Sequence, residues 1–384
     1  MRIAVPAETG DEPRVAATPE TVKKLLGLGA TVAVESGAGT ASGITDAAFA
    51  AAGATVEPDR AATLRDADVV LKVRRPEPDE LPHYRRGAAV IAIMDPYGQE
   101  EALRGLAEAG LDAFAMELMP RITRAQVMDV LSSQANLAGY RAVIDAAEQY
   151  GRAFPMMMTA AGTVPAAKDF VMGVGGAGLQ AIATARRLGA IVTATDVRPA
   201  TKEQVESLGA KFVAVENEEF KNAETAGGYA KAMSEDYQRQ QNELVTSHIA
   251  KQDIVITTAL IPGRPAPRLV TAAMVRSMRP GSVVFDMAVE RGGNCELSKA
   301  GEVVDEGGVR IVGYRNVPGR LAATASSLYA RNLYAFLETL VSKDTKALAV
   351  DWTDDLVKAT NLTRAGAVVH PGFAPKPAAA PPPA

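Results

Sequence analysis

Cysteine and histidine are scarce in this chain of 384 residues, which contains one cysteine and three histidines. Cys295 has no second cysteine with which to form an internal disulfide, so the chain fits a reducing compartment. His83, His248 and His370 lie far apart in sequence and show no spacing typical of a zinc site. They fall in a loop, a polar helix and a C-terminal turn, so we expect structural or surface roles for them and predict no metal site.

Long apolar runs and an excess of positive charge are also missing. No apolar run approaches the roughly 20 residues that a membrane-spanning helix needs. The first residues, MRIAVPAETGDEPR, lack the basic head and apolar core of a signal peptide. The net charge of −4 argues against a nucleic-acid partner. We therefore expect a soluble chain without direct membrane insertion, and its length suggests two domains.

Strand-like runs alternate with helix-like runs along most of the chain. The strand-like runs are RIAVPAE, TVAVES, ADVVLKV, AAVIAIM and DAFAMEL, followed by DFVMGVG, AIVTATD, KFVAVE, QDIVITTA, GSVVFDM and VRIVGY. This alternation predicts the α/β class, with two Rossmann-like doubly wound parallel-sheet domains and a cleft between them. We expect an N-terminal α/β domain of residues 1–133 plus 321–372, a second Rossmann domain of residues 134–320, and a disordered Pro/Ala-rich tail of residues 373–384.

The strongest motif is VMGVGGAGLQAIATARRLGAIVTATDVRP, residues 171–199. Three glycines between a strand and a helix permit a tight turn, a close approach to a pyrophosphate and close packing of helix on strand. Asp196, at the end of the next strand, is expected to bind the adenosine ribose and favour NAD(H), and Arg198 would soften that preference. We therefore expect residues 134–320 to be the NAD-binding domain. The predicted cofactor contacts are Gly173, Gly175, Gly176, Ala177, Gly178, Asp196, Val197, Arg198 and, after a later strand, Thr258, Ala259 and Leu260.

Residues 121–142, RITRAQVMDVLSSQANLAGYRA, predict a helix over about residues 124–149 with a polar stripe. At about 100° per residue, Gln126, Asp129, Ser133 and Asn136 fall within a sector of about 80°. A solvated face would more often carry lysine and glutamate. The stripe therefore indicates either a ligand-binding surface, with Ser133 and Asn136 as further cofactor contacts, or a polar seam between helices.

Most NAD-dependent dehydrogenases transfer a proton as well as a hydride and need a general acid or base near the reacting carbon. The three histidines are poorly placed for this task. Lys72, Asp95, Asp129 and Glu290 are the other candidates that the sequence offers.

Several motifs resemble those of the alanine dehydrogenase and nicotinamide nucleotide transhydrogenase superfamily. The similarity starts in IAVPAETGDEPRVAATPETVKKLLGLGATVAVESGAGTASGITDAAFAAAGA and continues in LKVRRPEPDEL, VMGVGGAGLQAIATARRLGA, TTALIPGRPAPRLV and VFDMAVERGGN. In alanine dehydrogenases a lysine of the LKV-type strand holds the substrate carboxylate, and a histidine after the next strand assists. Lys72 matches the lysine, but Asp95 stands near the position of the histidine and Glu290 replaces an aspartate, which argues against amino-acid dehydrogenation.

RITRAQVMDVLSSQANLAGY and AETAGGYAKAM are more similar to the NAD(H)-binding component of proton-translocating transhydrogenase. The resemblance implies functional roles for Arg121, Gln126, Asp129 and Ser132 around the nicotinamide, and for Tyr229 in a mobile loop. It also implies direct hydride transfer from NADH to NADP⁺ on a separate NADP(H)-binding subunit, with a membrane-spanning subunit that couples the transfer to proton movement. A homodimer on the cytoplasmic face of the membrane is implied as well.

Hydride exchange between two nicotinamides needs no proton transfer to a substrate carbonyl, which fits the scarcity of histidine. It needs the donor ring held in a reactive geometry. Two alternatives stay open. One is an alanine dehydrogenase-like enzyme that uses Asp95 or Glu290 in place of histidine, and the other is a non-catalytic NAD(H)-sensing protein.

Overall fold

A computed structural model describes residues 1–223 and 233–375, which fold as strands alternating with helices. The strands are β1 Arg2–Val5, β2 Thr31–Glu35, β3 Thr55–Glu57, β4 Val69–Arg74, β5 Ala89–Ile93, β6 Asp112–Ala115, β7 Met157–Thr159, β8 Gly162–Val164, β9 Lys168–Met172, β10 Ile191–Thr195, β11 Lys211–Phe212, β12 Ile254–Thr257, β13 Val283–Asp286, β14 Val303–Glu306, β15 Val309–Val312, β16 Asn361–Arg364 and β17 Ala367–Val368. The helices are α1 Pro19–Gly27, α2 Asp46–Ala51, α3 Arg60–Leu64, α4 Glu100–Glu108, α5 Val130–Gln149, α6 Gly176–Arg187, α7 Thr201–Ser207, α8 Glu218–Lys221, α9 Glu235–Ile249, α10 Ala272–Ser277, α11 Ala322–Thr339 and α12 Asp355–Thr360. Short 3₁₀-helices occupy Thr40–Ser42, Leu81–His83, Met116–Leu118, Thr123–Met128, Val289–Arg291 and Val317–Leu321.

Each of the two compact units of the chain contains its own sheet. The first unit comprises Met1–Gln134 with the described portion of Gly319–Ala384, and the second comprises Ala135–Pro318. The first sheet has the order β17-β16-β6-β5-β4-β1-β2-β3, and the second has the order β11-β10-β9-β12-β13-β15-β14. When the parallel strands are counted within each unit, both sheets have the Rossmann order 3-2-1-4-5-6. The predicted class of two Rossmann-like α/β sheets is therefore confirmed.

Both faces of each sheet are buried. Side chains of successive strand residues point to opposite faces, and residues from each face pack into a hydrophobic core. On β1, Ile3 packs into one hydrophobic core and Ala4 into another. On β9, Val171 packs into one core of the second unit and Phe170 into the other. Parallel strands covered on both faces are nearly continuous apolar runs, which is why the central strands are recognisable in the sequence.

The structure divides the helix that the sequence predicts over residues 124–149. Thr123–Met128 form a 3₁₀-helix, and α5 starts only at Val130. Asp129 lies between them, and its carboxylate accepts hydrogen bonds from the backbone N–H (2.9 Å) and the hydroxyl of Ser132. It thus serves as a cap for the first turn of α5. The prediction of one continuous polar helix face over residues 126–136 was wrong. Asp129 ends the 3₁₀-helix and caps α5, so the two segments are separate helices.

The polar segment of residues 217–243 is helical at both of its ends. The side chains of Asn217 and Ser234 cap α8 and α9, respectively. Tyr229, predicted to lie in a mobile loop, is outside the described residues, as are residues 376–384 of the predicted tail. Within residues 1–223 and 233–375, no helix combines the length and apolar character needed to cross a membrane.

Candidate functional site

The turn from β9 into α6 contains three of the predicted glycines, and the surroundings of each differ. Gly173 has a φ of +102°, and a Cβ there would lie 2.6 Å from the hydroxyl oxygen of Thr258. A Cβ at Gly178 would lie 1.9 Å from the carbonyl oxygen of Gly173, so this close packing requires glycine. A Cβ at Gly175 would meet no atom within 4 Å, which leaves this stretch of the backbone open to a ligand.

The same loop presents the N-terminal turn of α6. Gly175 is the N-cap of α6, and no side chain caps the helix there. The first N–H groups of an α-helix have no intrahelical acceptor, and an anionic ligand such as a pyrophosphate satisfies them. β9 also lies between β10 and β12, where the strand order reverses and where dinucleotides bind to this type of sheet. The residues present therefore fit the pyrophosphate of a dinucleotide.

Asp196 follows β10 and is held against the glycine loop. Its Oδ2 accepts a hydrogen bond from the backbone N–H of Val174 at 2.7 Å. Its two oxygens also accept bonds from the Arg198 guanidinium, at 2.9 Å from Nε and 3.0 Å from Nη2. The carboxylate is thus fixed beside the predicted pyrophosphate loop. Arg198, which was expected to soften the preference for NAD(H), is paired with this carboxylate.

Helix α5 approaches the first turn of α6 closely. A Cβ at Gly139 would lie 2.0 Å from the carbonyl oxygen of Ala177, so glycine is required at this contact. Asn136 is exposed and precedes Gly139 by about one turn of α5. This places the amide of Asn136 on the helix that packs against the predicted pyrophosphate loop.

The first unit contains the other predicted site segment, residues 121–133. Arg121 and Gln126 are exposed, and within the described portion of the chain their side chains have no hydrogen-bond partner. Asp129 bonds to Ser132, and within the described residues it forms no ion pair with Arg121. Ser133 donates to the side-chain oxygen of Asn332 on α11 at 2.8 Å, as in the polar helix seam that the sequence also allowed.

Lys72, a candidate acid or base, lies in a buried ionic cluster of the first unit. Its side chain is 1% exposed, and its Nζ lies 3.2 Å from Glu80 and 3.6 Å from Glu8. Arg60 also pairs with Glu80, at 2.5 Å. Burial raises the pKa of Glu8, although Lys72 acts in the opposite direction. The side-chain nitrogen of Lys72 therefore forms ion pairs with carboxylates of its own unit.

Asp95 and Glu290 occupy different environments. Asp95 has a left-handed backbone with a φ of 46°, and its N–H donates to the carboxylate of the half-buried Glu117. Burial raises the pKa of Glu117. Glu290 lies in a 3₁₀-helix of the second unit and accepts a hydrogen bond from the N–H of Asn316 at 2.9 Å.

The histidines have the structural and surface surroundings that the sequence predicts. His83 is exposed at the end of a short 3₁₀-helix. His248 is half-buried, with Nε2 2.8 Å from the hydroxyl of Thr193, and its ring packs edge-on against Phe170. His370 accepts a hydrogen bond from the N–H of Gly372 through Nδ1. Partial burial lowers the pKa of both His248 and His370, which favours their neutral forms.

The loop after β12 carries Thr258, Ala259 and Leu260, and its support comes from a residue that the sequence analysis does not identify. Thr258 donates a hydrogen bond to the Gly173 carbonyl at 3.0 Å, which joins this loop to the glycine turn. The Asn294 side chain bonds to both the N–H and the C=O of Ala259, at 3.1 and 2.9 Å. Asn294 lies 35 residues further along the chain, so no local pattern reveals the contact.

The chain is similar to known proteins over nearly its whole length. Two family models match: Alanine dehydrogenase/PNT, N-terminal domain, over residues 4–138, and Alanine dehydrogenase/PNT, C-terminal domain, over residues 142–371. The first of the separate parts of NAD(P) transhydrogenase subunit alpha from Rhodospirillum rubrum is 56% identical over 379 residues, covering 97% of this chain and 99% of that protein. The crystal structure of transhydrogenase from Sinorhizobium meliloti shows 64% identity and a TM-score of 0.88, covering 96% of this chain and all of that one.

Alanine dehydrogenases are more distant relatives. The alanine dehydrogenase of Halomonas elongata is 31% identical over 363 residues, covering 91% of this chain and 91% of that protein. The chain therefore belongs to the alanine dehydrogenase/PNT family of NAD-binding oxidoreductases, and within it is more similar to NAD(P) transhydrogenase alpha subunits than to this alanine dehydrogenase.

Proposed function

We propose that the chain is the NAD(H)-binding component of a proton-translocating transhydrogenase and passes a hydride directly between NAD(H) and NADP(H) on a partner subunit. The observation that carries the proposal is the glycine turn of the second unit, open at Gly175 and flanked by Asp196. The similarity to the NAD(P) transhydrogenase alpha subunit of Rhodospirillum rubrum supports the choice of reaction. The Asp196 carboxylate supports NAD(H) rather than NADP(H) as the nucleotide of this chain.

The segment Arg121–Ser132 is proposed to hold the nicotinamide end in position. NAD(H), when bound, supplies or accepts the hydride. The Gln126 amide and the Arg121 guanidinium are exposed, with no side-chain partner within the described residues, so they are available to a carboxamide or a ribose hydroxyl. Asp129 and Ser132 are already joined by a hydrogen bond, which fixes their relative position. None of these groups needs to exchange a proton with a substrate carbonyl oxygen or amine.

Partner subunits are included in the proposal. The relative from Rhodospirillum rubrum is named as one of the separate parts of a subunit alpha, which supports a multi-subunit enzyme. We propose that an NADP(H)-binding subunit and a membrane-spanning subunit complete it, and that this chain docks on the cytoplasmic face of the membrane through them. Coupling to proton translocation would then be a property of the assembled enzyme.

The direct test mixes the purified chain with a separately purified NADP(H)-binding domain of a transhydrogenase. Hydride transfer from NADH to an NADP⁺ analogue such as acetylpyridine adenine dinucleotide phosphate is followed by stopped-flow absorbance. Rapid transfer that requires both proteins supports the proposal. Tight NADH binding without any transfer would leave the non-catalytic sensor as the better description.

Replacement of Gln126 by alanine is expected to slow hydride transfer about tenfold or more and to change the Kd for NADH by less than about twofold. The reason is that holding the ring in a reactive geometry matters most in the transition state. Stopped-flow transfer rates and fluorescence titrations with NADH measure the two effects. Gln204→Ala, at an exposed glutamine of α7, is the matched control. Equal losses in rate and affinity would contradict the positioning role.

Asp129 needs a more conservative substitution because it also caps α5. Asp129→Asn keeps an oxygen that accepts from the Ser132 N–H, whereas Asp129→Ala removes the cap at a cost of about 1 kcal/mol. If the charge of Asp129 serves hydride transfer, Asp129→Asn slows the reaction while the thermal midpoint stays near that of the wild type. A rate lost only in Asp129→Ala would show that the cap is what matters.

The alanine dehydrogenase-like alternative requires a cation for the substrate carboxylate. Lys72 matches the relevant lysine, but Glu80 and Glu8 surround its ammonium group in a buried cluster. This arrangement weighs against the alternative. Reductive amination of pyruvate with NADH and ammonia, followed by the absorbance of NADH, distinguishes the two activities cheaply.

A homodimer is also proposed, and the antiparallel hairpin β7–β8 is the surface that we propose for it. Met156, Met157 and Met158 are 55%, 42% and 78% exposed there. Adjacent exposed methionines and the open edges of a two-stranded hairpin are typical of contact surfaces. Replacing Met157 and Met158 by serine is expected to shift the protein to monomers in light scattering after size exclusion. A double variant that stays dimeric would contradict this assignment of the surface.

A further inference from the structure

Asn294 is a buried polar residue of the second unit, and among the described residues its side chain bonds to backbone groups of a distant loop. Its Oδ1 accepts from the Ala259 N–H at 3.1 Å, and its Nδ2 donates to the carbonyls of Ala259 at 2.9 Å and Pro267 at 2.8 Å. The side chain thereby pairs with Ala259 as a neighbouring strand would. It fastens the loop that leaves β12 at two points, Ala259 and Pro267.

The position of Asn294 is itself fixed by Asp286 at the end of β13. One oxygen of this buried carboxylate accepts from the Cys295 N–H at 2.9 Å and from the Ser298 hydroxyl at 2.6 Å. A Cβ at Gly293 would lie 2.6 Å from the Ser298 hydroxyl and 2.8 Å from Asp286, so the chain turns tightly there. The turn that carries Asn294 is therefore built on a rigid strand end.

The loop that Asn294 fastens reaches the predicted pyrophosphate turn. Thr258 precedes Ala259 and donates to the carbonyl of Gly173 at 3.0 Å. A dinucleotide on this type of sheet lies across the switch point, with one mononucleotide half on each side. Asp196, at the end of β10, marks the adenosine side, whereas β12 and β13 lie on the other side of β9. The loop of residues 258–262 therefore borders the nicotinamide half.

We propose that Asn294 is a positioning residue for the nicotinamide half of NAD(H), acting through the backbone of Ala259. This inference rests on the proposed function, because it requires NAD(H) at the glycine turn. The Asn294 amide supplies an acceptor for the Ala259 N–H and donors for the carbonyls of Ala259 and Pro267. No other uncharged side chain of the same shape provides both. Asn294 contacts the loop and not the cofactor. Because this loop borders the nicotinamide half, Asn294 affects the affinity for that half and not for the adenosine half.

The test compares binding of NADH and of ADP, which lacks the nicotinamide half, by isothermal titration calorimetry. The variants are Asn294→Ala, the isosteric Asn294→Asp, and Thr258→Val on the same loop. Asn242→Ala, at an exposed asparagine of α9, is the control. We expect Asn294→Ala to raise the Kd for NADH about tenfold or more and the Kd for ADP by less than about twofold. Asn294→Asp should weaken NADH at least as much, because its carboxylate faces two carbonyl oxygens without a donor.

Each outcome bears on the proposal. A selective loss of NADH affinity in the Asn294 variants and in Thr258→Val supports it, and Thr258→Val carries the test if the Asn294 variants do not fold. Wild-type affinity for NADH in Asn294→Asp would overturn the proposal, because it would show that Asn294 only fills space. Equal losses for NADH and ADP would overturn it as well. A wild-type protein that binds neither nucleotide would instead reject the proposed function itself.

Discussion

Replacement of Asp196 by alanine is expected to weaken NADH binding by about ten- to hundredfold and to leave NADPH binding unchanged or stronger. Asp196 lies where the adenosine ribose is predicted to bind, and its negative charge repels a 2′-phosphate. Its removal also takes away a partner of Arg198, whose guanidinium bonds to both carboxylate oxygens as well as to the carbonyl of Val174. A guanidinium without its carboxylate partner is better suited to bind a phosphate.

Fluorescence titrations with NADH and NADPH measure this change of preference. The double variant Asp196→Ala with Arg198→Gln separates the two causes, since it removes the repulsion without leaving a guanidinium. NADPH affinity that rises in the single variant and falls again in the double variant would assign the gain to Arg198. An unchanged ratio of the two affinities in Asp196→Ala would refute the ribose assignment.

The glycine turn was predictable because all of its determinants are close together in sequence. A strand, three glycines, a helix and an acidic strand end occur within residues 171–199. The steric need for glycine at Gly178 arises from the carbonyl of Gly173, only five positions earlier. The central strands were equally clear, since burial on both faces makes them apolar throughout.

Other features depend on contacts that no local pattern shows. The break at Asp129 was missed because a capping side chain and a mid-helix polar side chain look alike in a helical projection. The environment of Lys72 depends on Glu8, 64 positions away along the chain and paired only in three dimensions. Asn294 supports Ala259 across a gap of 35 positions. Short edge strands such as β3, β14 and β17 have too few residues and too little burial for a clear alternation.

The second large effect concerns Asp169, whose carboxyl lies inside the second unit. It stands on β9 between Val192 and Ile254 of the neighbouring strands, and within the described residues neither of its oxygens has a hydrogen-bond partner. Burial alone raises the pKa of Asp169 to about 8. Such a group is neutral in the folded protein at neutral pH, although it is ionised in the unfolded chain.

The sign of the pH dependence follows from proton binding. Between the unfolded pKa near 4 and the folded pKa of about 8, the folded state holds a proton that the unfolded state releases. The contribution of Asp169 to the free energy of unfolding therefore falls as pH rises through this range, by at most about 5 kcal/mol. Asp169→Asn removes the titration while keeping the shape of the neutral acid. The variant should gain stability relative to the wild type as pH rises from 5 to 8.

Urea denaturation followed by far-ultraviolet circular dichroism at pH 5, 6, 7 and 8 measures this gain. Asp305→Asn, at an exposed aspartate of β14 in the same unit, makes the same change of charge without the burial and should show no comparable gain. A parallel pH dependence for Asp169→Asn and the wild type would mean that Asp169 has a charge-stabilising partner in solution. A rising gain would instead identify an acid that the Rossmann sheet tolerates only in its protonated form, because no cation or donor among the described residues bonds to its carboxyl oxygens.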